Sequence, residues 1–154
     1  MLQGSLSPLT PRFPLRPEPA PRETVPSFLS RFAAMRLTPM VEFAQNMGFS
    51  FRRILDGDPE ALDSLAHWGG LTAAGIEVLQ SWSGMPIGDV RMRFRGEVFM
   101  SRALRNPTLR GCPVCLREDA LAHSGDPAEA MAMRGDWQLR EVTLCLTHRH
   151  LIVP

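Results

Sequence analysis

The stretch Gly111–Cys112–Pro113–Val114–Cys115 is answered thirty residues later by Cys145–Leu146–Thr147–His148. These two short runs hold every cysteine in the chain. Cys112 and Cys115 form a CxxC, and Cys145 and His148 form a CxxH. A two-residue gap lets both side chains of each pair turn toward one point, and Gly111 and Pro113 suit the tight backbone this requires. Two chelating pairs of thiolate and imidazole make the donor set of tetrahedral zinc. Four protein ligands leave no position for a substrate water, so the expected Zn2+ is structural. His150 also lies within reach of Cys145; His148 is preferred because its spacing mirrors the CxxC.

Other readings of these cysteines fit less well. A thioredoxin-like redox pair needs a surrounding βαβ pattern, which the flanking sequence does not offer. A structural disulfide would leave one cysteine over, an awkward number for an oxidised, secreted framework. Reduced thiols, together with an N-terminus that lacks a signal-peptide pattern, point to the cytoplasm. No apolar run approaches the roughly 20 residues of a membrane span.

The 154-residue chain suits one domain or two small ones, with enough apolar residues for a modest core. All 17 basic residues are arginine, and the net charge of +1 argues against wholesale coating of nucleic acid. Six prolines fall within residues 1–22 (Pro8, Pro11, Pro14, Pro17, Pro19 and Pro21), which predicts an extended arm rather than a helix. Arg12, Arg16 and Arg22 lie along it, and a solvated arm is the default reading.

Residues 23–88 read as helical. Thr24 is placed to cap a helix through about Met35, with Val25, Phe28, Leu29, Phe32 and Ala33 on one face. Thr38–Pro39 signals a second start, with Met40, Phe43, Ala44 and Met47 as its stripe and Gly48 as its stop. Asp58–Pro59 opens a third helix carrying Ala61, Leu62, Leu65 and Ala66, ended by Gly69–Gly70. Thr72 caps a fourth, with Ile76, Leu79 and Trp82 facing inward. The last two have the dimensions of a helix-turn-helix. A plain packed hairpin has the same dimensions. The exposed face of the fourth helix offers Glu77, Gln80 and Ser81 but no arginine, which weakens a direct reading of DNA.

Residues 89–154 change character. Val90, Met92 and Phe94 alternate with Arg91, Arg93 and Arg95, a period of two that predicts a half-buried strand. Arginine continues at Arg102, Arg105, Arg110 and Arg117, so residues 91–117 carry seven arginines against one acid, Glu97. Nucleic acid, an acidic partner protein and an inert surface all fit that balance. Arg91, Arg93, Arg95, Arg102, Arg105 and Arg110 are the candidate contacts. Residues 118–136 read as a polar connection, with Asp126–Pro127 starting a short helix over Ala128–Met133. Trp137 is expected in the core around the metal. The sequence shows no catalytic constellation and no phosphate-cradling glycine loop, and His67 and His123 stand alone. The expected fold is mainly α, with a helix-turn-helix-like half followed by a small zinc-stapled α+β module.

Several of these runs together resemble the TniQ family. They are Pro14–Leu15–Arg16–Pro17 with Pro19, Glu23 and Thr24; Phe94–Arg95–Gly96–Glu97–Val98–Phe99; Thr108 through Asp119 around the CxxC; and Trp137 through His148, with Leu151 following. The resemblance implies a bacterial DNA-transposition accessory protein that is not an enzyme. It implies an adaptor in target-site selection, related to TnsD-type selectors. Such an adaptor links a target-recognition module, in some systems an RNA-guided Cascade complex, to an AAA+ ATPase that regulates the transposase. Direct DNA contact and homodimer formation are consistent with it. The family's zinc ligands fall on Cys112, Cys115, Cys145 and His148. Leu146 departs from the family pattern, where proline is usual, without removing a ligand. Relatives commonly continue beyond the position of Pro154, which leaves a minimal member, a fragment and a degenerate remnant all open as readings, with partner-binding regions beyond that point.

Overall fold

A computed structural model describes residues 15–154. Pro8, Pro11, Pro14 and Arg12 of the proline-rich arm lie outside the described residues. Seven α-helices and one three-stranded sheet follow in chain order: α1 (Val25–Met35), α2 (Met40–Asn46), α3 (Phe51–Leu55), α4 (Pro59–Gly69), α5 (Ala73–Ser81), β1 (Met85–Gly88), β2 (Arg91–Phe94), β3 (Glu97–Met100), α6 (Ser101–Leu104) and α7 (Pro113–Leu121). Two 3-10 turns, Pro127–Glu129 and Gly135–Gln138, complete the described residues. The chain is helix-rich with a small antiparallel sheet. None of its described helices is long and apolar enough to cross a membrane.

Local chemistry sets most helix limits. Thr24, Asp58 and Thr72 each accept a hydrogen bond from a first-turn amide of α1, α4 and α5 respectively, satisfying donors that have no partner within the helix. α4 ends at Gly70, which sits at φ 65°. At α2 the expectation needs adjustment: Pro39 occupies the cap position without a side-chain bond, and the Thr38 hydroxyl donates instead to the Arg36 carbonyl at 2.9 Å. Gly48, at φ 93°, lies just past the end of α2.

The apolar stripes of these helices meet in one core. Val25, Phe28, Leu29, Phe32 and Ala33 of α1 pack with Phe43, Ala44, Ile54, Ala61, Leu62, Leu65, Ile76 and Leu79. Phe32 meets Phe43 edge to face, with ring centroids 4.8 Å apart. A second, smaller cluster under the sheet contains Met92, Phe94 and Leu104, joined by the partly buried Trp82, Phe99 and Leu139. Trp82 therefore leaves the helical stripe to which its spacing assigned it: it caps the C-terminus of α5 and faces Phe94. The third cluster surrounds the cysteines.

A polar seam ties α1 to the C-terminal half. The Glu23 carboxylate is fully buried and accepts from Arg31 Nη1 at 2.8 and 2.9 Å, from the Ser27 hydroxyl at 2.9 Å and from the Ala20 amide at 2.8 Å. Arg31 Nε then donates to the Glu129 carbonyl. Backbone bonds continue the seam from Thr24 to Met133 and from Gly135 to Arg22. Arg22 pairs with Asp136 at 2.7 Å, and Arg134 pairs with Asp119 on α7. Glu23, Arg31, Arg134 and Asp136, the buried charges of this seam, each have a partner, the condition under which burial is tolerable.

Three sequence expectations change here. The strand over Val90–Arg95 is β2 alone, and Val90 sits in a turn at φ 54°. Residues 118–136 are not merely a connection, because α7 runs through Leu121. The helix expected over Ala128–Met133 is a single 3-10 turn at Pro127–Glu129, its first amide held by Asp126.

Candidate metal centre

Cys112 is the N-cap of α7, Pro113 opens the helix and Cys115 lies in its first turn. Proline is tolerated at that position because its missing N–H would have no intrahelical partner. The second pair is held by a tight loop. The Arg149 amide donates to the Cys145 carbonyl and the Cys145 amide to the His150 carbonyl, each at 2.9 Å. Arg149 takes φ 53° to close this turn. An isolated β-bridge between Leu144 and Leu151 shuts its base, and a second between Gly111 and Val153 fastens it to the first pair.

These two units bring Cys112, Cys115, Cys145 and His148 together, with one donor atom from each within 4.8 Å of the others. The Cys115 and Cys145 sulfurs are 3.5 Å apart, and His148 Nδ1 lies 3.8, 3.2 and 3.8 Å from the sulfurs of Cys112, Cys115 and Cys145. Tetrahedral bonds of about 2.3 Å to sulfur and 2.0 Å to nitrogen would separate donors by about 3.5–3.8 Å. The donor set and its spacing therefore fit a single zinc-like ion. Three thiolates exclude the hard cations, which take oxygen ligands. His150 is turned elsewhere, its Nδ1 beside the Leu151 carbonyl.

The surroundings support the same use. All three cysteines are buried, packed by Trp137 and Ile152. His148 Nε2 lies 2.9 Å from Glu118 Oε1. A carboxylate there fixes the tautomer that leaves Nδ1 free to ligate. Cys115 and Cys145 are pushed in opposite directions. Burial, reinforced by the neighbouring Cys145 and Cys112, pushes Cys115 up to about 12. Burial also opposes ionisation at Cys145, but the backbone amides of His148 and Thr147, the His148 ring and Cys115 outweigh it and bring that thiol down to about 6. The His148 imidazole is raised, chiefly by its bond to Cys145 against some desolvation, with Glu118 adding to the effect. One site thus holds a ready thiolate, a reluctant thiol and a histidine aimed between them. A metal dication would resolve the crowding by displacing the protons.

The candidate arginines do not form one patch. Arg91 and Arg93 project from the exposed face of β2. Arg95 leaves that face to stack on the Trp82 ring at 4.2 Å and donate to the Ser81 hydroxyl at 2.8 Å. Arg102 and Arg105 are exposed on and just after α6. Arg110 turns inward, its Nη2 donating to the carbonyls of Trp137, Leu139 and Val142 at 3.1, 2.7 and 3.1 Å. Its charge serves the backbone around the metal site. Sequence reasoning missed Glu118 and the Glu23–Arg31 pair. The histidine–carboxylate contact spans thirty residues, and Glu23 precedes the helix that carries Arg31. Neither follows from a local spacing rule.

This geometry defines a class: small helix-rich proteins whose C-terminal half is tied by a Cys3His cluster. The TniQ family model matches residues 14–152 of the 154-residue chain, and the chain belongs to that family. Membership makes it a transposition-associated protein. A search of curated proteins and a search of solved structures each returned no match.

Proposed function

We propose that this protein binds one structural Zn2+ through Cys112, Cys115, Cys145 and His148 and acts as an adaptor in transposition target-site selection. It joins a target-recognition complex to an AAA+ ATPase that regulates the transposase. The observation that carries this reading is the family match over residues 14–152, which takes in both ligand pairs. A closed four-ligand site supports a structural ion rather than a catalytic one, so the reading is of a non-enzymatic protein. The ion's chemistry is to fasten α7 to the Cys145–His148 loop. The Glu23–Arg31 pair, through Arg31 Nε to the Glu129 carbonyl, then holds the C-terminal half against α1, and Arg110 braces the backbone beside the metal site.

A second reading treats α4 and α5 as a DNA-reading helix-turn-helix assisted by Arg91, Arg93, Arg102 and Arg105. The short Gly70-to-Thr72 connection favours it. Asp58, Glu60 and Asp63 near the start of α4 weigh against it, because they repel phosphate.

Size-exclusion chromatography of zinc-loaded protein with the AAA+ regulator of its transposon, together with anisotropy on labelled duplex DNA across a salt series, separates the two. The adaptor reading expects a co-eluting complex and no base preference. DNA binding that discriminates between sequences, without a protein complex, would favour the second. The same chromatography run reports whether the protein is a homodimer.

A further inference from the structure

The sheet has two edges, and they are treated differently. β1 carries Pro86 and an irregular register between Pro86 and Gly88. Proline and bulges are devices that stop an edge from pairing with another strand. β3 carries neither, and its register with β2 is regular over all four residues: Arg91 with Met100, Met92 with Phe99, Arg93 with Val98 and Phe94 with Glu97.

The hydrogen-bonding phase of β3 follows from its hairpin. Arg95 and Gly96 take φ 52° and 81°, the conformation of a two-residue turn whose flanking residues, Phe94 and Glu97, bond to each other. Pairs alternate along an antiparallel ladder, so Met92 and Phe99 also bond. The next such pair is Val90 with Ser101, and the Ser101 amide does donate to the Val90 carbonyl at 2.7 Å. The N–H and C=O groups of Val98 and Met100 therefore point away from β2. No backbone bond from Val98 reaches outside the sheet among the described residues; Met100 is the N-cap of α6, so its carbonyl is turned to that helix and its N–H is the group it offers at the edge.

The exposed face beside this edge is both apolar and cationic. Val98 and Met100 are 54 % and 45 % exposed, and they lie directly across from Arg93 and Arg91. Neither arginine has a hydrogen bond or ion pair among the described residues, and the register puts Glu97 on the opposite face with Phe94. Phosphate binding needs only the charges. Two exposed apolar side chains between them fit a protein partner better, since arginine and methionine are enriched at protein interfaces.

We propose that β3 is a docking edge for an extended, glutamate-bearing segment of a partner protein, which adds as a fourth strand. Its backbone bonds to Val98 and Met100, its glutamate stems cover their side chains, and its carboxylates meet Arg91 and Arg93. The added strand lies two strand spacings from β2, about 10 Å. An arginine and a glutamate reaching toward each other span that gap. Backbone pairing supplies affinity and alternate side chains supply selectivity, as in other strand-addition complexes. The inference names one docking face of the adaptor proposed above and rests on that reading.

The test uses the full chain, zinc-loaded, and a fluorescein-labelled octapeptide of alternating glutamate and valine. Anisotropy should show saturable binding, and the Val98 and Met100 amides should gain protection from hydrogen exchange. Proline at an outward-facing amide spares the ladder to β2, so Val98→Pro should weaken binding by at least about tenfold, or 1.4 kcal/mol, with the fold retained. The double reversal Arg91→Glu with Arg93→Glu should do the same. Should the proline variant fail to fold, the parent protein is measured against a peptide N-methylated at alternate amides, which should bind at least about tenfold more weakly. The proposal is overturned by absence of peptide binding, by equal binding of the methylated peptide, or by unchanged exchange at Val98 and Met100. Binding of a short duplex DNA alone, lost in the double reversal, would overturn it in favour of a phosphate surface. The peptide assay needs no transposition partner, so its failure is distinct from a failure to form the complex with the ATPase.

Discussion

Removing the Glu23 carboxylate should be among the most damaging single changes outside the metal ligands. Its side chain is fully buried and the Arg31 side chain is only 10 % exposed. Glu23→Ala would leave the guanidinium with the carbonyls of Glu18 and Glu129 but no counter-charge. The Ser27 hydroxyl and the Ala20 amide would also lose their acceptor. Breaking a buried pair from one side typically costs about 3–5 kcal/mol, against roughly 5–15 kcal/mol for a whole domain. At about 2–4 °C per kcal/mol for a chain of this size, the melting temperature should fall by roughly 6–20 °C. Urea denaturation followed by far-ultraviolet circular dichroism measures the loss. The double variant Glu23→Ala with Arg31→Met removes the stranded charge as well, and should be more stable than Glu23→Ala alone. A loss below about 1 kcal/mol would match a surface pair and refute the view that this seam locks α1 to the C-terminal half. A double variant no better than the single would show that the stranded charge is not the cause.

Gly135→Ala should destabilise by about 1–3 kcal/mol in the same denaturation assay, because the added Cβ would strike the Trp82 carbonyl oxygen, which is backbone and cannot swing away. Glu118→Gln should weaken zinc by about 10–100-fold in a chelator competition, with little change in the fold, since it acts by orienting the His148 ring through Nε2. Zinc affinity should fall on acidification. Cys115, raised to about 12, holds its proton at neutral pH in the metal-free protein, and the His148 imidazole is shifted toward its protonated form by Cys145 and Glu118, so zinc must compete with protons at the site. Each expelled proton should cost about tenfold in apparent affinity per unit of pH below neutrality, measurable by competition at several pH values, whereas a flat profile would contradict that assignment of protons.

Four of the five helices before the sheet were legible because their signals are local, whereas α3, a five-residue helix capped by Ser50, was not. Thr24, Asp58 and Thr72 cap their own helices, and the stripes of α1 and α4 follow the helical period closely enough to name the core. The Cys3His set was legible from spacing, and the structure brings its four members together. What the sequence hid depends on distant partners. α7 has almost no amphipathic pattern, with Cys115 its one buried residue. It is positioned by the metal-ligand cluster rather than by an apolar stripe, so Pro113 reads as a turn residue instead of a helix opener. β3, no shorter than β2, puts exposed Val98 and Met100 on its outer face, so no polar alternation marks it, and β1 contains a proline and a glycine. Arg110 looks like one more arginine in a basic run. Only the fold shows the three carbonyls that claim it.

Cys112, Cys115, Cys145 and His148 are proposed to hold one structural zinc ion. X-ray absorption at the zinc edge of the purified full chain tests it most directly. One zinc per chain is expected, with a shell of three sulfurs at about 2.3 Å and one nitrogen at about 2.0 Å, and Cys115→Ser should lose the metal together with the fold of the C-terminal half. A shell of oxygen and nitrogen alone, or a Cys115→Ser protein that keeps both its metal and its melting temperature, would contradict it.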